Sequence, residues 1–195
     1  MAFNLVDKLT DQRSLQDNEG LTVLITSYRH REVILALRLI HGGADINSQN
    51  DVGGTALMKA CARSDIDAVK WLLENGADIN LCTNFGVSSL IMAIGHRRAD
   101  IVSLLIKSGA NLNLQDVDGE TALMIALRRN EQNVAKLLIE NGADLDLQNN
   151  EGFSPRALIK DLNNIYLIGL CKALEEKKLL SEASVLNQND DPMGL

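Results

Sequence analysis

The sequence predicts an all-α stack of short helical repeats, and three observations carry that prediction. Gly20, Gly53, Gly86, Gly119 and Gly152 stand 33 residues apart (53 − 20 = 33, and the same step each time). Gly43, Gly76, Gly109 and Gly142 form a second ladder with the same step of 33, in phase with the first. Each glycine of the second ladder is followed by Ala, then Asp or Asn, then Ile or Leu, then Asn or Asp. A fixed period of this length marks a stacked array, in which each unit buries its apolar face against the next.

The stretch Asp116–Gln148 shows one unit in full. Gly119 permits a tight turn with positive φ. Thr121 follows as a helix N-cap, its hydroxyl placed to accept an orphan amide. Ala122 to Arg128 form a first helix of about two turns, and Asn130 ends it. Val134, Leu137, Leu138 and Ile139 give a second helix its apolar stripe. Gly142 takes the left-handed position that closes that helix. Helices this short are not stable alone, so each depends on its neighbours.

Along the chain, residues 1–16 fall short of a repeat, and Phe3, Leu5, Val6 and Leu9 are expected to lid the first one. Repeats are expected at 17–49, 50–82, 83–115, 116–148 and 149–180. The first is degenerate, with Ser27 and Tyr28 where later repeats have small residues. The fifth lacks the glycine-alanine ending. Its last helix, from Ile165 to Leu174, runs into Glu175, Glu176, Lys177 and Lys178, a charged finish expected to cap the array. Residues 181–195 are polar and are expected to form a disordered acidic tail.

The motif strings DVGGTALMKA with WLLENGADIN, NFGVSSLIMA with SLLIKSGANLN, and DVDGETALMIA with KLLIENGADLD resemble the ankyrin repeat. The resemblance covers roughly Asp17 to Leu180 and is specific in the middle three repeats. It implies an ankyrin-like solenoid of helix-turn-helix units joined by turns or short hairpins. One departure is consistent. The family has Pro-Leu-His after the Thr, but here the five repeats read TVLI, TALM, SSLI, TALM and SPRA. The family's His links neighbouring turns; Met58 and Met124 cannot, so weaker loop-to-loop order is expected.

Composition agrees. With 46% hydrophobic but only 3% aromatic residues, the chain suits an Ala/Leu/Ile-packed helical array. A net charge of −7 argues against general nucleic-acid binding. Cys61, Cys82 and Cys171 are an odd number without a C-x-x-C pair, and read as small buried hydrophobes in a reducing compartment. Asp7 and Lys8 interrupt the region where a signal peptide needs an apolar run. A cytoplasmic protein is expected, with export by a specialised secretion machine left open.

No catalytic constellation emerges. His41-Gly42-Gly43 resembles an oxyanion strip but fills the slot of Glu74-Asn75-Gly76, a helix end. No G-x-S-x-G, P-loop or dinucleotide fingerprint is present. His30 and His96 are two periods apart (96 − 30 = 66). With layers spaced of order 10 Å apart, they cannot share a metal. No cofactor or metal is expected, and no enzymatic activity. Asn47, Asn80 and Asn113 recur at repeat ends and are expected to hydrogen-bond turns. Trp71 is expected in the core.

The resemblance implies that a partner is held by the turn tips and the far ends of the first helices, which line a concave groove. The tips carry Glu19 and Leu21, Val52, Phe85 and Val87, Asp118 and Glu120, and Glu151 and Phe153. Phe85 is the leading anchor, because aromatic side chains carry much of an interface's energy. The first-helix ends carry Arg29-His30-Arg31, Arg63, His96-Arg97-Arg98 and Arg128-Arg129. Cations favour helix C-termini, each by about 0.3–1 kcal/mol. The preference for arginine over lysine points further, to bidentate carboxylate binding. The expected function is a non-catalytic protein-interaction module, monomeric on its own, binding one partner with an acidic and apolar surface as inhibitor or adaptor. The alternative is a polyanion-binding module, for a phosphorylated peptide, phosphoinositide or nucleic acid, using the arginine stripe.

Overall fold

The computed structural model describes residues 45–189. They form four successive helix pairs: α1 (Ala56–Arg63) with α2 (Ile66–Glu74), α3 (Ser89–Gly95) with α4 (Ala99–Lys107), α5 (Ala122–Arg128) with α6 (Gln132–Glu140), and α7 (Pro155–Asp161) with α8 (Ile165–Asn189). The first helices α1, α3, α5 and α7 stack in one layer and the second helices α2, α4, α6 and α8 in another. The only extended pairings among the described residues are single bridges, Cys82 with Ser88 and Gln115 with Thr121. The all-α solenoid expected from the period is the fold observed.

The repeat is written into backbone chemistry. Thr55, Ser88, Thr121 and Ser154 sit one period apart, and each hydroxyl accepts from the N–H three residues on. Each of these bonds satisfies one of the amides a helix start leaves unpaired. Ser64, Arg97, Asn130 and Asn163 follow the first helices with φ of 64°, 58°, 56° and 48°. Gly76, Gly109 and Gly142 follow the second helices at 89°, 85° and 86°. At the tips, Gly86 has φ 73°, and a Cβ there would lie 2.6 Å from the Asp116 Cα. Only glycine lets the two turns approach so closely.

The core lies between the layers. Leu57, Leu90 and Leu123 occupy one slot in successive repeats, each almost wholly buried. Val69, Val102 and Ala135 occupy another and are wholly buried. Trp71 packs half-buried against this core. Met58 and Met124, in the family's histidine slot, are core residues.

The expected weakening of loop-to-loop order is corrected by other side chains. Gln49 Nε2 donates to the Gly53 and Cys82 carbonyls, both at 2.8 Å. Gln115 Nε2 does the same one tip later, to Gly119 at 2.7 Å and Gln148 at 2.9 Å. Asn84 Nδ2 donates to the Asp51 carbonyl and Asn150 Nδ2 to the Val117 carbonyl, both at 2.9 Å. Asn47, Asn80 and Asn113 accept the N–H groups of Asp78, Asn111 and Asp144 across the repeat boundary. Amides thus do the joining that histidine does elsewhere.

The array ends by substitution. In the slot of Leu123 stands Arg156, in that of Leu127 stands Lys160, and in that of Ile139 stands Lys172. A sixth repeat would have to cover these residues, so the outward face is polar and the stack stops. Arg156 binds Asp146 at 2.6 and 3.0 Å and Glu175 at 2.7 Å. The cap therefore begins earlier than the charged finish at Glu175. The tail needs a second correction, because α8 continues without a break from Ile165 to Asn189. From Glu175 to Asn189 the chain has no Gly or Pro and is rich in Leu, Glu and Lys, which favour helix. Among the described residues no helix is long and apolar enough to cross a membrane. Residues 1–16, the first repeat as far as residue 44, and residues 190–195 lie outside the described residues.

Candidate functional site

The tips form a rigid row. The Val52 carbonyl accepts the Asn84 N–H, the Phe85 carbonyl the Val117 N–H, and the Asp118 carbonyl the Asn150 N–H, all at 3.0 Å. Within each turn one side chain takes two amides. Asn50 Oδ1 accepts Val52 and Gly54 N–H, Thr83 Oγ1 accepts Phe85 and Val87 N–H, and Asp116 Oδ1 accepts Asp118 and Glu120 N–H. With the backbone held this way, the side chains at the tips are pushed outward. Val52, Phe85 and Phe153 are exposed, Phe85 to 59%. Val117 is exposed to 56%, and the sequence reading missed it. It sits beside Phe85 through the backbone bond, which only the paired turns reveal. Val87, by contrast, is half-buried against the core. Asp118 and Glu151 are exposed.

The row of tips has one open joint. Cys82 stands where Gln49 and Gln115 stand in the flanking repeats, and Val117 stands where Asn84 and Asn150 stand. Between the third and fourth tips both amide cross-links are therefore missing. The backbone bond from Val117 to Phe85 remains.

The first-helix ends divide into engaged and unengaged cations. Arg128 grips Glu120 with Nε at 3.2 and 3.1 Å from the two carboxylate oxygens and Nη2 at 3.1 Å, and reaches Glu151 at 3.7 Å. Glu120 also accepts Asn149 Nδ2 at 2.6 Å. Arg129 Nη1 donates to the Gly95 carbonyl at 2.8 Å, at the end of α3. Arg128, Arg129 and Glu120, all in the fourth repeat, thus reach groups in the adjoining repeats, Glu151, Gly95 and Asn149, while both arginines stay exposed. Arg63, His96 and Arg98 are exposed. Arg29 and His30, the equivalents in the first repeat, lie outside the described residues.

Elsewhere the titratable groups are structural. Burial pushes the Cys61 thiol up to about 12, so it is a neutral core group at ordinary pH. Burial raises Cys82 as well, with Asp78 adding to the effect. The hydrogen bonds from Arg156 hold the Asp146 carboxyl below its usual range. A cleft of about 500 Å³ beside Asp146, Arg156 and Cys171 is part of this C-terminal cap.

Comparison with known proteins agrees with the repeat seen in the backbone. The family model described as "Ankyrin repeats (3 copies)" matches residues 2–81, 28–116 and 66–149. No curated protein matches the chain. The period, the paired helices, the hydrogen-bonded tips and a family match over most of the sequence lead to one conclusion: the chain belongs to the ankyrin-repeat family.

Proposed function

We propose that the chain is a non-catalytic protein-binding module that holds one partner against the tips and first-helix ends, acting as an inhibitor or adaptor. Ankyrin repeats in general are protein-interaction modules and are typically not catalytic. The observation that carries the reading is the exposed apolar set Val52, Phe85, Val117 and Phe153 on a hydrogen-bonded row of turns. Apolar side chains held outward by a rigid backbone lose little entropy on binding, and an aromatic among them is a natural anchor. Exposed cations on the first-helix ends favour a partner that carries carboxylates beside its apolar groups.

Peptide display on the full chain tests this. A random peptide library is selected on the wild-type protein and on a Phe85→Ser variant. Enrichment of peptides with apolar anchors by the wild type, lost in the variant, supports the reading. Indifference to Phe85, or the absence of any enrichment, overturns it. The polyanion alternative predicts instead that heparin or single-stranded DNA binds, with affinity falling steeply as salt rises.

A further inference from the structure

Arg97 occupies a position that the other described repeats give to Ser or Asn, and Arg98 one where Asp65 and Asn164 cap the second helix. The N-cap slot of the second helix holds Asp65, Arg98, Glu131 and Asn164, each one period from the next. Asp65 Oδ1 accepts the Ala68 N–H at 3.0 Å, and Asn164 Oδ1 accepts the Leu167 N–H at 3.1 Å. Arg98 and Glu131 make no side-chain cap bond. The Arg98 guanidinium has only donors, so it cannot cap an amide. It also places a cation at the positive end of α4, where the helix dipole opposes it. The dipole argument that accounts for cations at the ends of α1, α3 and α5 therefore runs backwards at Arg98.

Arg97 shows the same departure. Its slot is the left-handed one, held by Ser64, Asn130 and Asn163 in the other described repeats. Asn tolerates that conformation far better than a long side chain does. Arg97 has a side chain 72% exposed, and its one ion pair among the described residues is a loose 3.8 Å approach to Glu131. With Arg98 after it, this makes two consecutive exposed cations, preceded by the exposed His96. Arg63 holds the slot of His96 in the preceding repeat (96 − 63 = 33). Among the described residues, every other arginine of the first-helix ends beyond Arg63 is answered from within the chain: Arg128 by Glu120 and Arg129 by Gly95. Residues that break local structural rules without an internal return mark binding sites.

We infer that Arg97 and Arg98 form the anchor for a carboxylate pair on an acidic protein segment, in the repeat whose tip carries the exposed Phe85. This rests on the protein-binding reading and names the chemistry of its partner. Carboxylates are favoured over a dense polyphosphate because Asp118 and Glu151 are exposed on the next two tips, on a chain of net charge −7. A guanidinium pair meets two carboxylates fork to fork, with geometry as well as charge.

The test repeats the peptide selection on an Arg97→Asn/Arg98→Asp variant beside the wild type and Phe85→Ser. The double variant restores the left-handed Asn of the following repeat and the Asp cap of the preceding one, so its urea midpoint is expected to rise; lost binding then cannot be lost folding. Wild-type selections should be enriched in Asp and Glu beside apolar residues. The double variant should lose the acidic enrichment, keep the apolar one, and bind a wild-type-selected peptide at least about tenfold more weakly, a difference of about 1.4 kcal/mol. Acidic enrichment that survives the double substitution overturns the anchor while leaving the Phe85 result, and so the broader reading, intact. A phosphoserine library that outcompetes Asp and Glu on the wild type also overturns it, in favour of phosphopeptide binding. No enrichment on any form overturns both.

Discussion

Closing the open joint between the third and fourth tips should stabilise the stack by an amount set by two hydrogen bonds. The perturbation is Cys82→Gln. By the geometry of Gln49 and Gln115, an amide at position 82 would donate to the Gly86 and Gln115 carbonyls, at distances near the 2.7–2.9 Å of its equivalents. Two such bonds are worth about 1 kcal/mol each net. Ordering a glutamine removes up to about 1.5 kcal/mol of that. The thiol's present contact, a long 3.6 Å approach to the Asn80 carbonyl, is a small loss. A net gain of about 0.5–1 kcal/mol remains, or roughly 1–4 °C in Tm for a chain of this size. The sharper readout is local. The Val117 amide spans the joint to the Phe85 carbonyl. Its exchange with deuterium should slow by about threefold, the factor equivalent to about 0.7 kcal/mol, while the Asn150 amide at the next joint keeps its rate. Unchanged exchange at Val117 would refute the claim that amide side chains, rather than backbone pairing alone, set the order of the tips.

Two further outcomes follow from the same geometry. Gly86→Ala and Gly109→Ala both place a side chain at positive φ, at a cost of about 1–2 kcal/mol. Only at Gly86 would the new Cβ meet backbone, at 2.6 Å, whereas nothing lies within 4 Å at Gly109. Urea unfolding should therefore show Gly86→Ala as clearly the more destabilised; equal losses would mean that the turns are not so closely stacked. Acid should loosen the C-terminal cap through Asp146. Its carboxyl is held below the usual range by the Arg156 hydrogen bonds, so the folded form binds protons less readily than the unfolded one. The stability this contributes is complete above the ordinary Asp value of about 3.9 and is lost as pH falls through the depressed folded value. An Arg156→Gln variant should lose stability less steeply below about pH 4 than the wild type. Parallel pH profiles would show that the ion pair contributes nothing.

Nearly all of the stack was legible in the sequence because each structural requirement recurs at one spacing. Thr55, Ser88, Thr121 and Ser154 announce helix starts, and Gly76, Gly109 and Gly142 announce helix ends, so a single well-formed unit explains the rest. What escaped was long-range. That Arg128 closes on Glu120, or that Val117 lies beside Phe85, depends on how successive turns face each other, which a list of equivalent slots does not contain. The extent of α8 escaped for a different reason. Polar composition alone points to disorder, whereas Glu, Lys and Leu without a breaker support helix as far as Asn189.

The arginine stripe shows how slot and partner together separate roles that sequence alone merges. Arg128 and Arg129 extend to groups in neighbouring repeats and help to join them. Reversing their charge would damage the stack as well as any interface, so neither is a clean probe of binding. Arg156 replaces a core leucine, yet the chain supplies Asp146 and Glu175 to meet it, and the exchange ends the array. Arg98 replaces a capping residue, opposes the dipole of α4, and meets no carboxylate among the described residues. A charge that displaces a structural residue and is answered by the chain belongs to the fold. A charge that displaces one and is left unanswered calls for a counterpart from outside, and that is why the proposed anchor is confined to the third repeat rather than spread along the stripe.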